Sequence, residues 1–134
     1  MKKKMLALLV AVTLCMVLIA MPFSASAAGS ASGTLGGYAC NANLTMGTNS
    51  IGEAYATAKT TFGTYADSIM AKVQLQWKGG FGTFWTSQYS DSREFSTYAS
   101  YTISSGYTTS VALSAKGWHS ISWYSYGWKP ETSI

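Results

Sequence analysis

The chain has 134 residues and a formal net charge of +4, and only 10% of its residues are charged. Lys2, Lys3 and Lys4 supply three of its nine basic residues, so the rest of the chain has a net charge of +1. A nucleic-acid partner requires clustered cations that neutralise phosphates, and a membrane-surface helix requires a basic polar face. The composition therefore argues against both classes, and we expect no nucleic-acid partner.

The N-terminus has the three parts of a secretory signal peptide. The lysines are followed by an apolar run over residues 5–21 and by Ser24-Ala25-Ser26-Ala27, which ends in an Ala-x-Ala pattern. This order predicts a signal peptide over residues 1–27 that is cleaved after its last residue. Pro22 and the small residues favour cleavage over retention as a membrane-spanning anchor. We therefore predict a secreted, extracellular protein with no stable membrane anchor after cleavage.

Beyond the signal peptide the chain is long enough for one domain. It has few aliphatic residues, so aromatic side chains must supply most of the apolar surface of the core. Nine Tyr and five Trp supply the apolar area, since each buried aromatic side chain contributes about 150–250 Å². Cys40 is the one cysteine that remains after cleavage, so an internal disulfide is excluded. We interpret it as a small buried hydrophobic residue, with an intermolecular disulfide as the alternative. Lack of disulfides in so small a secreted protein is typical of export from a Gram-positive bacterium.

Alternating apolar and polar residues, separated by glycine-bearing turns, predict an all-β domain. We expect a flexible lead over 28–36, a folded domain over 37–129 and a tail over 130–134. The predicted strands are 37–46, 53–62, 68–78, 83–90, 95–103, 107–115 and 118–128, with a charged loop at 91–94. Helix is the competing interpretation of the alanine-rich 53–62 segment, but its β-branched threonines favour a strand. About seven short strands predict an antiparallel β-sandwich, with a closed barrel as the alternative.

The last predicted strand is the most aromatic one, and it either continues to Trp128 or runs into a bend at Gly127. Alternation places His119, Ile121 and Trp123 on a core-facing row. The opposite row consists of Trp118, Ser120, Ser122, Tyr124, Tyr126 and Trp128. So many aromatic side chains are unusual on a solvent-exposed face that has no binding partner, so this row either packs under another element or binds a ligand.

Catalytic motifs are missing from the sequence. Nucleophilic catalysis requires a nucleophile, a base and an orienting group, and the single histidine, His119, with Cys40 is the available pair. A buried thiol is a poor nucleophile, so we expect His119 to be a core-edge residue whose ring nitrogen bonds a backbone carbonyl. Metal sites require clustered ligands, and the carboxylates fall at predicted turns or strand ends. We therefore predict no enzyme, no cofactor and no metal.

Aromatic surface is the remaining candidate for function, because tyrosine and tryptophan combine a flat apolar body with a polar tip. Such side chains suit sugar faces, lipid headgroups and protein hot spots. The predicted binding residues are Trp85, Trp118, His119, Tyr124, Tyr126 and Trp128. Their expected partner is a component of the cell envelope or a glycan.

The segment Trp118-His119-Ser120-Ile121-Ser122-Trp123, behind a signal peptide and in a small all-β domain, resembles the lactococcin-type bacteriocins. In that family a His-Ser pair opens a late strand and the chain ends in aromatic residues, which His119 and Ser120 match here. The resemblance implies an unmodified secreted β-sandwich that kills related bacteria by interfering with cell-wall precursor at the envelope. The first functional hypothesis is therefore a bacteriocin-like antibacterial protein. The alternative is a glycan-binding or adhesive module, and a small hydrolase is a distant third.

Overall fold

A computed structural model of the protein describes residues 27–134, and 83% of these residues are in β-strands. The predicted signal peptide lies outside the described residues except for Ala27. No helix occurs in the described part, so none there has the length and apolarity to cross a membrane. The alanine-rich segment at 53–62 is a strand and not a helix, as its threonines indicated.

Eight strands pair antiparallel in one sheet, which confirms the predicted all-β antiparallel fold. They are β1 (Ala27–Leu35), β2 (Tyr38–Thr48), β3 (Glu53–Gly79), β4 (Gly82–Trp85), β5 (Tyr89–Thr108), β6 (Val111–Trp123), β7 (Tyr126–Trp128) and β8 (Glu131–Ser133). The two layers expected of a sandwich are parts of this single sheet, which is nearly closed into a barrel.

The long strand β3 joins the two layers. Its first half pairs with β2 and its second half with β6, while β5 runs along its other edge. The Thr60 hydroxyl donates to the Met70 carbonyl at 2.7 Å, although ten residues of straight strand would separate them by about 33 Å. β3 therefore folds back on itself, and its register against β5 slips between Thr61 and Ala66.

The two predicted strands at 53–62 and 68–78 are thus halves of one bent strand. Gly63, at the bend, has the character of a turn residue, and the buried positions of β3 change from even-numbered residues up to Ala66 to odd-numbered residues from Ile69 onward. The charged loop expected at 91–94 is also wrong, because these residues lie within β5 and pair with β3. β5 folds over as β3 does, since the Ser100 N–H donates to Asp91 Oδ2 at 3.0 Å.

Both ends of the described chain belong to the sheet, at the positions where the sequence predicted a flexible lead and a tail. Residues 27–35 form β1 and pair with β2 throughout, and residues 131–133 form β8 and pair with β6. The glycines of β1 allow close contact instead of flexibility. A Cβ atom on Gly29 would lie 2.9 Å from the Ser133 carbonyl oxygen, and one on Gly33 would lie 2.7 Å from Trp128 Nε1. β1 therefore lies against β7 and β8 and nearly closes the sheet.

Alternate side chains of the strands form one core between the layers. The first half of β3 contributes small buried residues, and its second half contributes larger ones from Ile69 to Trp77. Both rows belong to the same hydrophobic cluster. Small residues in one layer thus leave room for large residues in the other, which is how a dense core is packed.

Cys40 lies in this core with no exposed surface, and burial raises the pKa of its thiol. An intermolecular disulfide would require the β1–β2 layer to open. We expect no reaction of Cys40 with iodoacetamide in the folded protein and complete reaction in denaturant, because the thiolate is the reactive form. Mass spectrometry of the peptide that contains Cys40 measures this, and labelling under native conditions at the rate of the denatured protein would contradict it.

Candidate functional site

The aromatic segment at 118–128 is a strand, a turn and a second strand, and the chain turns at Tyr124, three residues before the predicted bend at Gly127. β6 ends at Trp123, and β7 returns beside it with Trp123 opposite Tyr126 and Ile121 opposite Trp128. Tyr124 turns the chain with a positive φ of 51°, and its N–H donates to Asp67 Oδ2 at 2.6 Å. The turn residues Tyr124 and Ser125 include no glycine, proline, asparagine or aspartate, so the alternating pattern of the sequence continued through the turn.

The turn separates the six predicted binding residues. Trp118 and Trp85 lie on one outer face, Tyr124 and Tyr126 lie at one end of the sheet, and Trp128 is half-buried against Gly33. His119 is 2% exposed and lies in the core, where a ligand cannot contact it. The structure therefore offers two separate aromatic surfaces from this set.

His119 holds three strands together. The Thr60 hydroxyl of β3 donates to the Met70 carbonyl, so its oxygen accepts from His119 Nδ1–H at 2.9 Å. The other ring nitrogen, Nε2, must then accept from the Thr132 hydroxyl of β8, also at 2.9 Å. The ring is hydrogen-bonded as expected, but its partners are two threonine hydroxyls and not a backbone carbonyl. Burial lowers the pKa of His119 to about 4, so the ring is neutral at pH 7.

Tyr124 and Tyr126 belong to an aromatic end of the sheet built around Trp123. The Trp123 ring contacts Tyr38 at 5.4 Å, Phe62 at 6.0 Å, Tyr124 at 4.9 Å and Tyr126 at 6.1 Å between ring centroids. Aromatic pairs at these separations add to the stability gained by burial. The rings of Trp123 and Phe62 thus have a packing role, while the two tyrosines of the turn are exposed.

The second surface covers the outside of the layer formed by β6, the second half of β3, and β4. Alternate positions of β3 place Lys72, Gln74 and Gln76 outward, and pairing brings Trp118 beside Lys72 and Trp85 beside Gln76. We call the group of Lys72, Gln74, Gln76, Trp85, Lys116 and Trp118 the lysine–tryptophan face.

Each tryptophan of the lysine–tryptophan face lies next to a lysine. Lys72 Nζ is 5.1 Å from the centroid of the Trp118 ring, and Lys116 Nζ is 5.6 Å from that of Trp85. Such cation–π contacts orient both partners at an exposed surface. Trp118 is half-buried and Trp85 is 44% exposed, so both rings are partly available to a ligand.

Two shallow grooves border Trp118. A groove of about 320 Å³ lies toward Lys72, Ser120 and Lys129, and one of about 270 Å³ lies toward Lys116 and Ser133. Glu131 of β8 pairs with Trp118 of β6 and lines both grooves. A flat indole is thus surrounded by ammonium, hydroxyl and carboxylate groups that can hydrogen-bond polar substituents of a ligand.

Positive charge is concentrated on this side of the molecule. Lys72, Lys78 and Lys116 lie on the outer side of the layer, and Lys129 lines a groove beside Trp118. Arg93, on β5, is instead paired with Asp91 at 2.8 Å. Among the residues that the structure describes, no group of three His, Cys, Asp or Glu side chains could hold a metal ion. The face is therefore equipped to bind an anionic ligand.

The sequence alone identified the two tryptophans of this face but not its lysines and glutamines. Their alternation along the predicted third strand was visible as a polar row, and only the pairing of β3 with β4 and β6 brings that row between Trp85 and Trp118. The resemblance to lactococcin-type bacteriocins stays a prediction. No protein family, no curated protein and no solved structure matches this chain.

Proposed function

We propose that the chain is a secreted, non-enzymatic protein of a bacterial cell envelope that binds an anionic glycan on its lysine–tryptophan face. The observation that carries the proposal is the placement of Trp85 and Trp118 on one outer face with two lysines and two glutamines between them. Sugar rings present apolar C–H faces and polar edges. A tryptophan ring packs against the C–H face, while amide and ammonium groups form hydrogen bonds with the hydroxyl groups at the edge.

The dimensions of the face favour a polymer over a single sugar. Trp118 pairs with Lys72 and Trp85 pairs with Gln76, four residues further along β3. Four residues of strand span about 13 Å, and the rings are also separated across the width of the strands. One sugar ring cannot contact both tryptophans, so a bound chain would extend across the face.

The charge of the face favours an anionic chain. Exposed lysines attract phosphate or carboxylate groups through interactions that salt screens. The envelope of a Gram-positive bacterium contains such polymers, which agrees with the predicted route of export. Binding should therefore weaken as salt concentration increases.

Retention on insoluble cell walls tests the proposal. We expect Trp118→Ala to weaken retention by about tenfold or more, since truncating a central aromatic contact costs about 2 kcal/mol. Trp85→Ala should weaken it in the same direction, and walls stripped of anionic polymer should retain less wild-type protein. Co-sedimentation with walls at low and high salt measures both effects.

Tyr98→Ala is the matched control, because Tyr98 is 44% exposed like Trp85 and also lies under a cation, Arg93. Tyr98 is on β5, away from the lysine–tryptophan face, so its removal should leave retention unchanged. Equal retention of Trp118→Ala, Trp85→Ala and wild-type protein would rule out this face as the contact.

Killing of related bacteria is the second candidate function, supported by the resemblance at 118–123 and the predicted signal peptide. Because His119 is buried, any role it has in killing is structural. A growth-inhibition spot assay on close relatives of the producer tests this candidate, and absence of inhibition would remove it. Loss of inhibition in Trp118→Ala would link killing to the lysine–tryptophan face.

A further inference from the structure

Three turns come together at the end of the sheet opposite the aromatic end. Because β3 folds back, its first and last residues lie at the same end, beside turns 49–52 and 80–81. The Ser110 N–H donates to the Gly52 carbonyl at 3.2 Å, which adds turn 109–110. The exposed large apolar side chains here are Ile51, Phe81, Phe84, Tyr107 and Val111, which we call the apolar tip.

Phe81 is the most prominent member of the apolar tip. It is fully exposed in the hairpin turn between β3 and β4, with glycine on both sides. Below it, Trp77 contacts Tyr107 at 5.1 Å and Phe84 at 4.9 Å between ring centroids. These rings and the turn line a cavity of about 300 Å³ that is open to solvent on one side and has mostly apolar walls. An uncovered ring above an apolar cavity indicates a surface that meets an apolar partner.

We propose that the apolar tip docks reversibly into the interface of an anionic lipid bilayer. Phenylalanine and aliphatic side chains of interfacial segments bury about 5–10 Å into the boundary between headgroups and acyl chains, and tyrosine lies at headgroup level. Phe81 and Ile51 project from separate turns, so they can enter between headgroups without opening the sheet.

Charge around the apolar tip is complementary to anionic headgroups. Lys78 is exposed and pairs with Val111 at the border of the tip, and Lys116 and Lys72 continue from it along the outer face. Each lysine close to an anionic bilayer strengthens binding by about fivefold. Glu53 is the carboxylate at this end, and it is half-buried and accepts a hydrogen bond from Asn49 Nδ2 at 3.4 Å.

A bilayer fits the apolar tip better than a second copy of the chain. A stable contact between two proteins covers about 800 Å² on each partner with complementary shapes. The apolar tip instead consists of separate side chains on three narrow turns, with lysines beside them that would repel the same lysines of another copy. A vesicle assay tests docking separately from glycan binding, since a phospholipid vesicle carries no glycan.

Vesicle co-sedimentation tests the proposal with the protein expressed from the full chain in a secreting host and purified in its processed form. We expect binding to vesicles of 70% phosphatidylcholine and 30% phosphatidylglycerol, and weaker binding to pure phosphatidylcholine. Phe81→Ser should lower partitioning into the anionic vesicles by about tenfold, because it removes the most exposed apolar side chain.

Phe95→Ser is the matched control, since Phe95 is 73% exposed but lies opposite the bend of β3, at the other end of the sheet. It should bind anionic vesicles as wild-type protein does. Absence of wild-type binding, or equal losses in the two variants, would overturn the proposal. A third outcome would also overturn it: wild-type protein does not bind vesicles, sediments as a dimer in a velocity experiment, and becomes a monomer in Phe81→Ser. That result would assign the apolar tip to self-association.

Discussion

A Gly36→Ala variant is expected to lose about 2–5 kcal/mol of unfolding free energy. Gly36 lies in the turn between β1 and β2 with a φ of +55°, a conformation that costs alanine about 1–2 kcal/mol. An added Cβ would overlap Cζ3 of the Trp123 ring. Overpacking of this kind costs about 1–3 kcal/mol more, because the ring is held by Tyr38 and Phe62 and cannot easily move.

Gly37→Ala is the control for backbone strain. Gly37 has a φ of +85°, but an added Cβ there meets no atom within 4 Å. We expect this variant to lose only the cost of the backbone conformation, about 1–2 kcal/mol. Urea unfolding followed by tryptophan fluorescence measures both losses. Equal losses in the two variants would show that the contact between Gly36 and Trp123 does not limit the packing of the aromatic end.

The difference between the two glycines shows how β1 was misread in the sequence. A segment made largely of alanine, serine and glycine resembles a linker when nothing indicates what lies beside it. In the structure the same small residues let β1 approach Trp123, Trp128 and Ser133 closely enough to nearly close the sheet. The composition shows that these residues are small. The atoms that require them to be small belong to residues about a hundred positions further along the chain.

Strand content was predictable because alternation is a local property. The bend in β3 was not, since it depends on contacts such as that between Thr60 and Met70 across ten residues. The same reason explains why two predicted strands are one and why 91–94 is strand and not loop. A charged segment such as Asp91-Ser92-Arg93-Glu94 is compatible with β structure when its partner strand is long enough to pair with it.

The candidate site was predictable only in part. Counting aromatic residues identified Trp85 and Trp118, because more rings were present than seven strands could cover. Their polar neighbours Lys72 and Lys116 depend on register, which the sequence does not state. His119 was correctly placed on the core row, yet its inclusion among binding residues conflicts with its burial.

His119 leads to the second large effect, a loss of stability in mild acid. Its pKa is lowered to about 4 in the folded protein by burial, whereas its ordinary value is 6.5. Between these values the unfolded chain binds more protons than the folded chain, so the unfolding free energy falls as pH falls from 6.5 to about 4. The expected contribution of His119 to this loss is about 3 kcal/mol.

His119→Gln separates this contribution from that of the carboxylates. Glutamine keeps one donor and one acceptor for the two threonines but does not titrate. We expect the variant to be less stable than wild-type protein at pH 7 and the difference to shrink by about 3 kcal/mol at pH 4. Urea unfolding at both pH values measures the difference. A difference that is the same at both would contradict the assignment of the pH dependence to His119.

Proton NMR provides a direct readout that does not depend on how well the variant folds. His119 is the only histidine of the chain, so the folded protein has a single set of imidazole signals. The ring donates to Thr60 and accepts from Thr132, so protonation would require the Thr132 hydroxyl to turn from donor to acceptor and would place a charge in the core. The signals should therefore not move between pH 8 and pH 5.5 while the protein stays folded. A midpoint near 6.5 would show that the ring is solvated and that the three strands are not held together through it.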